Sequence, residues 1–184
     1  ADPESMVGNL MGDFVKGSID ENLPEKLRRG ISLHRKIDVY TDQHPIFKQS
    51  RRRISPDFRR YASILIDIYY DHFLAIHWDL YTNTPLPVFT EFVYEVLKDY
   101  YDNLPTRMQR SVTYMLQNDL LLSYRELSGI HNALKGLEKR LKRPSRLGDA
   151  WIELQANYNA LDSDFSLFFP DLVNYVTVQK THQQ

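Results

Sequence analysis

Hydrophobic residues recur along this chain at the three- and four-residue spacing of an amphipathic α-helix. Leu134, Leu137 and Leu141 follow this spacing, and no Asn-Gly, Asp-Gly or Gly-Gly pair marks a β-hairpin. Ser55-Pro56 is typical of a helix start, and Pro170 is expected to divide the last helical stretch. The pattern predicts helices near residues 24–41, 45–53, 56–80, 87–102, 106–118, 121–141, 149–168 and 171–180.

The predicted fold class is all-α, a single-domain bundle of about seven to eight helices over residues 1–184. The chain is 42% hydrophobic and has 23 basic against 24 acidic residues, which excludes the composition of a disordered protein. It has no cysteine, which excludes a disulfide framework, a cysteine-based zinc site and a thiol nucleophile. No apolar run approaches the ~18 residues of a membrane span, so we expect a soluble protein without a membrane partner. The absence of cysteine fits a reducing compartment, and we expect the cytoplasm. The segment Lys142-Arg143-Pro144-Ser145 is the best candidate for a loop between packed helices.

The first long helix carries a histidine and a carboxylate at the end of its apolar face. Leu23, Leu27, Ile31, His34 and Asp38 fall within about 80° of one another on a helical projection. Because residues four apart are neighbours on a helix, His34 and Asp38 can direct their side chains toward one point. The pair either binds a ligand, forms a hydrogen bond between its two members at the edge of the core, or lies in solvent.

The helix predicted at 56–80 carries a second pair of this kind. Its apolar stripe continues on both sides of His72, and Asp71 lies at the edge of the same face. An unsatisfied buried polar group costs about 1–3 kcal/mol, so these groups need partners. Either hydrogen bonds in the core satisfy each helix separately, or one divalent metal satisfies both pairs together. Imidazole and carboxylate ligands suit Mn, Fe or Zn.

Three sequence blocks stand in order along the first half of the chain. They are Gly8-Asn9-Leu10-Met11-Gly12-Asp13-Phe14-Val15-Lys16-Gly17, Gly30-Ile31-Ser32-Leu33-His34-Arg35-Lys36-Ile37-Asp38 and Tyr70-Asp71-His72-Phe73-Leu74. Together they resemble the acyl carrier protein phosphodiesterase family. The region of Trp151 and the segment 162–170 resemble the C-terminal part of that family, so the resemblance covers most of the chain.

The resemblance implies a helical fold related to the HD-type metal-dependent phosphohydrolases. Members remove the 4′-phosphopantetheine arm from holo acyl carrier protein with a divalent cation, Mn²⁺ being favoured and Mg²⁺, Fe²⁺ or Co²⁺ being alternatives. By matching motif, the implied metal ligands are Asp13, His34, Asp38, Asp71 and His72, and the implied catalytic residues are Asp71, His72 and Asp38. Asp71-His72 reverses the usual His-Asp order, which leaves open which of the two binds metal. Members usually begin with a short apolar segment carrying an Asn and a His, and we expect this chain to lack that segment.

Two basic segments are hidden by the net charge of −1. Residues 47–60 carry six basic residues against one acidic residue, and residues 134–146 carry the same numbers. Acyl carrier proteins are acidic, as the resemblance implies, so a basic surface would steer such a partner. Segment 47–60 directly precedes the helix of Asp71, so it is predicted as the docking surface, with the substrate-binding residues Arg51, Arg52 and Arg53.

Arg35 is a candidate phosphate ligand because it follows His34 and because guanidinium matches phosphate geometry. It points about 100° away from His34, so a surface role is the alternative.

The residues leave three functions open. One is the phosphodiesterase acting on holo acyl carrier protein, and a second is the same scaffold acting on a nucleotide or another small phosphoester. The third is a non-catalytic helical module that binds an acidic protein. No recognised nucleic-acid-binding motif accompanies the basic segments, so no nucleic-acid partner is expected, and the oligomeric state is not predicted.

Overall fold

The computed structural model describes residues 2–141 and 145–181. Over these residues the chain forms ten α-helices joined by short 3₁₀ turns and loops, and it contains no strand. The helices are α1 (Pro3–Met11), α2 (Glu25–Gln43), α3 (Pro45–Arg53), α4 (Ala62–Ile76), α5 (Leu86–Asp99), α6 (Thr106–Gln117), α7 (Leu120–Ser123), α8 (Leu127–Glu138), α9 (Trp151–Ala156) and α10 (Tyr158–Thr181). The predicted all-α bundle is confirmed, while its relation to the HD fold and its single-domain extent stay predictions. None of the described helices is long and apolar enough to cross a membrane.

Helices α1 and α2 approach each other closely because glycine stands at the contact on both. A Cβ on Gly8 would lie 2.3 Å from the carbonyl oxygen of Leu27, and one on Gly30 would lie 2.3 Å from the carbonyl oxygen of Ser5. A residue with a side chain would push the two helices apart at either position. The close crossing brings the segment that follows α1 against α2.

Two groups of buried side chains hold the helices together. The first joins α1 and α2 to α5 and α6 and includes Val7, Ile31 and Leu97. The second joins α3, α4, α8 and α10 and includes Leu65 and Phe165. Burying one such side chain contributes about 1.5–3 kcal/mol, so α2 and α4 are firmly held where they carry polar residues.

The observed helix boundaries differ from the predicted ones in several places, and the helix predicted at 149–168 is divided at Asn157 between α9 and α10. Residues 56–61 form a 3₁₀ turn, and α4 begins only at Ala62. The helix predicted at 121–141 is divided into α7 and α8, because the chain turns between them and packs Gly129 against the carbonyl of Ser123. Helix α1 has no predicted counterpart, since nine residues that include a glycine give a weak helical pattern. The predicted loop at 142–145 lies outside the described residues except for its last position.

Pro170 does not divide the last helix, which runs unbroken from Tyr158 to Thr181. Proline removes one backbone hydrogen bond from a helix. Side chains on both sides of it anchor the helix, since Phe165 is buried before it and Tyr175 stacks on Tyr40 after it, with ring centroids 4.2 Å apart. Tertiary packing therefore outweighs the local signal of the proline.

Candidate metal centre and active site

A cleft of about 510 Å³ opens among α2, α4 and α10. Its charged lining comes from the segment after α1, from α2 and from α4, and consists of Asp13, His34, Asp38, Asp42, Asp67 and Asp71. Its apolar lining comes mainly from α10 and includes Phe165, Phe168, Phe169 and Leu172. The cleft can therefore take a ligand that has a charged part and an apolar part.

Three residues of the charged lining lie close enough to share one ligand. Asp13, His34 and Asp38 each offer one atom, and these atoms lie within 4.8 Å of one another. His34 Nε2 lies 3.4 Å from Asp13 Oδ1 and 3.2 Å from Asp38 Oδ2. The side chains of the two carboxylates are 73% and 60% exposed, whereas that of His34 is 17% exposed. The carboxylates thus reach solvent while the imidazole is recessed between them.

Two contacts position Asp13 beside His34. Gly12 lies against the imidazole, and a Cβ there would lie 2.2 Å from Cγ and Cδ2 of His34. Arg35 donates a hydrogen bond from Nη2 to the carbonyl oxygen of Val15 at 2.9 Å, which ties the segment after α1 to α2. Arg35 therefore has a structural contact, and its contact with a phosphate stays a prediction.

The charges of these residues act on one another. The contact with Asp13 raises the pKa of His34 and lowers the pKa of Asp13. Burial raises the pKa of Asp38 above its ordinary value. Nε2 of His34 nevertheless lacks a well-aligned hydrogen bond to any described residue, because the two carboxylate contacts have the distance for charge attraction but not the alignment of a hydrogen bond. A buried nitrogen in this state is available to coordinate a ligand.

Helix α4 brings two further carboxylates to the cleft. Ser63, Asp67 and Asp71 line it at every fourth position, which places them on one face of the helix. Both side chains are exposed to solvent. Protein atoms nevertheless displace much of the water around each carboxylate, and this desolvation raises the pKa of each to about 7. The neighbouring charges of Asp38 and Asp42 raise the pKa of Asp67 further, and Asp67 acts in the same way on Asp71. A cation in the cleft would relieve this repulsion.

His72 lies outside the cleft. It is 2% exposed, and Nδ1 donates to the carbonyl oxygen of Tyr124 at 2.7 Å while Nε2 accepts from the hydroxyl of Tyr158 at 2.8 Å. Consecutive helical residues point about 100° apart, so Asp71 faces the cleft and His72 faces the core. The prediction of His72 as a metal ligand and catalytic residue is therefore wrong, because both ring nitrogens are bonded within the core.

The basic segment 47–60 is partly engaged inside the fold. Arg53 donates to Asp164 from Nε at 2.7 Å and from Nη2 at 3.1 Å, and Asp164 is 2% exposed. The prediction of Arg53 as a substrate-binding residue is therefore wrong, since a buried carboxylate holds it. Arg51 and Arg52 line a separate cavity of about 280 Å³ that shares no residue with the acidic cleft. Their contact with a substrate stays a prediction.

The donor atoms of the cleft fit a divalent cation. One imidazole nitrogen with carboxylate oxygens from Asp13 and Asp38 is a set that suits Mn²⁺, Fe²⁺ or Zn²⁺. The nitrogen that lacks a hydrogen bond, His34 Nε2, is the atom that such an ion would take up. Asp67 and Asp71 add carboxylates to the same cleft.

Comparison with known proteins identifies the family of the chain. The family model described as acyl carrier protein phosphodiesterase matches residues 1–172. This chain belongs to the acyl carrier protein phosphodiesterase family. Two relatives named acyl carrier protein phosphodiesterase, from Escherichia coli O139:H28 (strain E24377A / ETEC) and Escherichia coli (strain K12 / DH10B), are each 35% identical over 170 residues, which is 92% of this chain and 88% of the relative. No solved structure matches the chain.

Two cleft residues of this acyl carrier protein phosphodiesterase family member, Asp42 and Asp67, are absent from the site predicted from sequence. Asp42 follows Asp38 by four positions, and Asp67 precedes Asp71 by four. Each one therefore extends a row of polar residues on a helix face that the prediction already includes. The same four-residue spacing is the signal that could have found them.

Proposed function

We propose that this protein is a metal-dependent phosphodiesterase that removes the 4′-phosphopantetheine group from holo acyl carrier protein and leaves the apo form. Membership in the family supports the choice of substrate. The catalytic part rests on one observation, the grouping of Asp13, His34 and Asp38 in a cleft that also contains Asp67 and Asp71.

Asp13, His34 and Asp38 are the proposed ligands of the cation, for which Mn²⁺ is the first choice and Mg²⁺, Fe²⁺ and Co²⁺ are alternatives. Such a cation, when bound, neutralises charge on the phosphoryl oxygens and lowers the pKa of a water molecule. Without it, the carboxylates of the cleft repel a phosphodiester, because both carry negative charge. The acidic lining therefore makes substrate binding as well as the reaction depend on the cation.

The reaction adds water across the bond between phosphorus and the serine oxygen of the carrier protein. The hydroxyl goes to phosphorus, and the proton goes to the serine oxygen that leaves. Asp71 is the proposed donor of that proton, since it lines the cleft and its pKa of about 7 leaves a substantial fraction of the carboxyl protonated near neutral pH. Asp67, one helical turn earlier, supports this role because it raises the pKa of Asp71 whenever Asp67 itself is ionised.

The apolar lining of the cleft is the proposed place for the pantetheine arm. Phe169 and Leu172 of α10 are half-buried and border the same cavity as the acidic residues, and the buried Phe165 and Phe168 complete its apolar lining. The arm and the phosphodiester of one substrate would thus meet apolar and charged parts of a single cleft.

The same proposal includes a fold relationship and a cellular location. The relation to HD-type phosphohydrolases rests on the sequence resemblance together with the all-helical architecture. The reaction is placed in the cytoplasm, a reducing compartment that suits a sequence without cysteine.

Mass spectrometry of holo acyl carrier protein after incubation with the full-length protein tests the proposal. The carrier protein is expected to lose the mass of phosphopantetheine with Mn²⁺ and to keep it with a chelator. His34→Ala and Asp71→Asn are each expected to lower the rate about 100-fold or more while circular dichroism shows unchanged helix content. Glu91→Gln, a change at an exposed carboxylate of α5, is the matched control and keeps the wild-type rate.

Two results would contradict the proposal. Turnover of a nucleotide or another small phosphoester with no change in the carrier protein would assign the cleft to a different substrate. Binding of the carrier protein without turnover of any phosphoester would make the protein a non-catalytic module.

A further inference from the structure

A second cavity, of about 1110 Å³, adjoins the acidic cleft and has the opposite charge. Asp13 lines both cavities, so they meet at the candidate metal centre. Asp13 is also the single acidic residue in the lining of the second cavity. Its basic residues come from α6, from the last turn of α8 and from the two residues that follow α8, and they are Arg107, Arg110, Lys135, Lys139 and Arg140. We call the surface formed by these five residues the basic groove.

The cations of the basic groove are available to a partner. All five side chains are exposed, and none forms an ion pair with any residue of the described ranges. Arg140 donates from Nε to the carbonyl oxygen of Gly136 at 3.2 Å, and its guanidinium lies 5.7 Å from the ring centroid of Tyr114. These two contacts orient Arg140 without neutralising its charge. An anionic partner would relieve the mutual repulsion of the five cations.

The shape of the groove fits an extended anionic surface rather than one phosphate. Its volume exceeds the roughly 300–1,000 Å³ that is typical of small-molecule sites. Its cations are spread over two helices and the residues that follow α8, on exposed positions, and do not converge on one buried point. Single-stranded nucleic acid would call for aromatic rings open to base stacking. Of the two aromatic residues that line the groove, Tyr114 lies under the guanidinium of Arg140 and Phe14 is half-buried.

The other basic surface, segment 47–60, is less suited to docking. Arg53 is held by the buried Asp164, and Nη1 of Arg51 lies 3.8 Å from Asp42, so two arginines of the segment already face a carboxylate. The cavity beside the segment shares no residue with the acidic cleft, whereas the basic groove shares Asp13. The segment does border the acidic cleft, through Phe47 and through the contact of Arg51 with Asp42. Its two arginines are, however, already paired with carboxylates, whereas none of the five cations of the basic groove is paired within the described residues.

We propose that the basic groove, and not segment 47–60, receives the carboxylate-rich face of the carrier protein and so presents its modified serine to the acidic cleft. This inference rests on the proposed function. The two cavities then bind different parts of the substrate. The groove binds the protein part, and the cleft binds the phosphodiester and the pantetheine arm.

Steady-state kinetics of charge-reversal variants of the full-length protein test this inference. Arg110→Glu and Lys139→Glu, one on each side of the groove, are expected to raise KM for holo acyl carrier protein about 10-fold or more and to leave kcat within about 3-fold. Hydrolysis of the small diester bis(p-nitrophenyl) phosphate is expected to stay unchanged, because it does not use the groove. Arg110→Lys keeps the charge and is expected to keep KM. Lys180→Glu, the same charge reversal on exposed α10, is the matched control.

Binding of apo acyl carrier protein, followed by fluorescence anisotropy, provides a readout that does not depend on turnover. Weaker binding by the two groove variants, with unchanged binding by Lys180→Glu, supports the inference. This holds even if the wild-type protein hydrolyses nothing, because a lack of hydrolysis would overturn the proposed function and not the docking surface. Unchanged KM and binding in the groove variants would overturn the inference. So would a loss confined to Arg52→Glu, which would return docking to segment 47–60. Tighter binding of a short oligonucleotide than of the carrier protein would reassign the groove to nucleic acid.

Discussion

Gly12 packs so closely against the imidazole of His34 that a Cβ at position 12 would lie 2.2 Å from the ring. The contact joins the end of α1 to the histidine of the candidate metal centre. Because Asp13 is the next residue, the same contact sets the separation of the two side chains that would bind the ion. Gly12 therefore positions the candidate metal centre, although it offers no side-chain ligand itself.

Replacing Gly12 with alanine is expected to displace the ring of His34 and to weaken Mn²⁺ binding about 10-fold or more, with helix content retained. A tenfold loss corresponds to about 1.4 kcal/mol. Isothermal titration with Mn²⁺ measures the change. Gly136→Ala is the control, since its Cβ would meet only the movable end of the Tyr114 side chain. Equal Mn²⁺ affinity in Gly12→Ala and wild type would contradict this role of Gly12.

Substitutions of the two candidate histidines, His34 and His72, are expected to change the Mn²⁺-dependent rise in Tm differently. His34→Ala removes a proposed ligand, so Mn²⁺ should no longer raise its Tm, whereas the metal bound at 100 times its Kd stabilises wild type by about 2.7 kcal/mol. His72→Gln should lower the Tm without metal, because Tyr124 and Tyr158 lose buried hydrogen-bond partners. It should keep the Mn²⁺-dependent rise.

If His72→Gln does not fold, Tyr158→Phe removes one of the same hydrogen bonds at lower cost and serves in its place. Loss of the Mn²⁺ response in Tyr158→Phe, or its persistence in His34→Ala, would show that the ligands are assigned to the wrong histidine.

The acidic cleft is expected to destabilise the metal-free protein at alkaline pH. Asp67 has a pKa of about 7 in the folded state against 3.8 as the ordinary value, so between these pH values the folded state binds more protons than the unfolded state. The free energy of unfolding therefore falls as pH rises through this interval. Water in the cleft screens part of the effect, and we expect Asp67→Asn to raise the Tm at pH 8 by roughly 2–4 °C, equivalent to ~1 kcal/mol.

The measurement is a pair of melting curves in chelator, one near pH 4 and one near pH 8. Near pH 4 the variant and wild type should melt together, because Asp67 is then protonated in the folded state. Glu91→Gln is the control for removing an exposed carboxylate outside the cleft. A Tm difference that is the same at both pH values would refute the assignment to the cleft.

The pair of Arg53 and Asp164 is expected to act on stability and not on docking. Burial raises the pKa of Asp164, but hydrogen bonds from Arg53, Ser50 and Gln49 outweigh burial and hold the pKa below its usual value. This contribution to stability is present above the ordinary pKa and is lost as pH falls through the lowered one. Arg53→Ala should cost about 2–4 kcal/mol at pH 7 in urea denaturation, since Asp164 keeps two of its three partners.

Arg52→Ala, at an exposed position of the same helix, should change stability by less than about 0.5 kcal/mol. A comparable loss in both variants would mean that the pair with Asp164 has no special role. An increase in KM for the carrier protein in Arg53→Ala, with stability unchanged, would restore the docking role that the structure denies to Arg53.

Local spacing explains which parts of the site are predictable from sequence. His34 and Asp38 stand four apart on one helix, so their proximity follows from helix geometry alone. Asp13 reaches them only because α1 and α2 cross at Gly8 and Gly30, and periodicity along one helix contains no information about such a crossing. It is found through the resemblance to a family and not through the spacing.

His72 shows the opposite limit. The apolar stripe of α4 correctly places it in the interior, where it is 2% exposed. The stripe does not identify its partners, Tyr124 and Tyr158, which are 52 and 86 positions away along the chain. Burial predicted from a pattern therefore indicates that a polar group has partners, but not whether those partners are a metal or the core. Pro170 shows the same limit for helix ends, because contacts with residues distant in sequence keep α10 continuous across the proline.

Hydrolysis of holo acyl carrier protein in ¹⁸O-labelled water with Mn²⁺, followed by mass spectrometry of both products, tests the proposed metal-dependent phosphodiesterase most directly. We predict one ¹⁸O atom in the released 4′-phosphopantetheine and none in the apo carrier protein, with no release in chelator or in His34→Ala. Label in the serine of the carrier protein, a carrier protein lighter than the apo form by one water, or release that is independent of a divalent cation would contradict it.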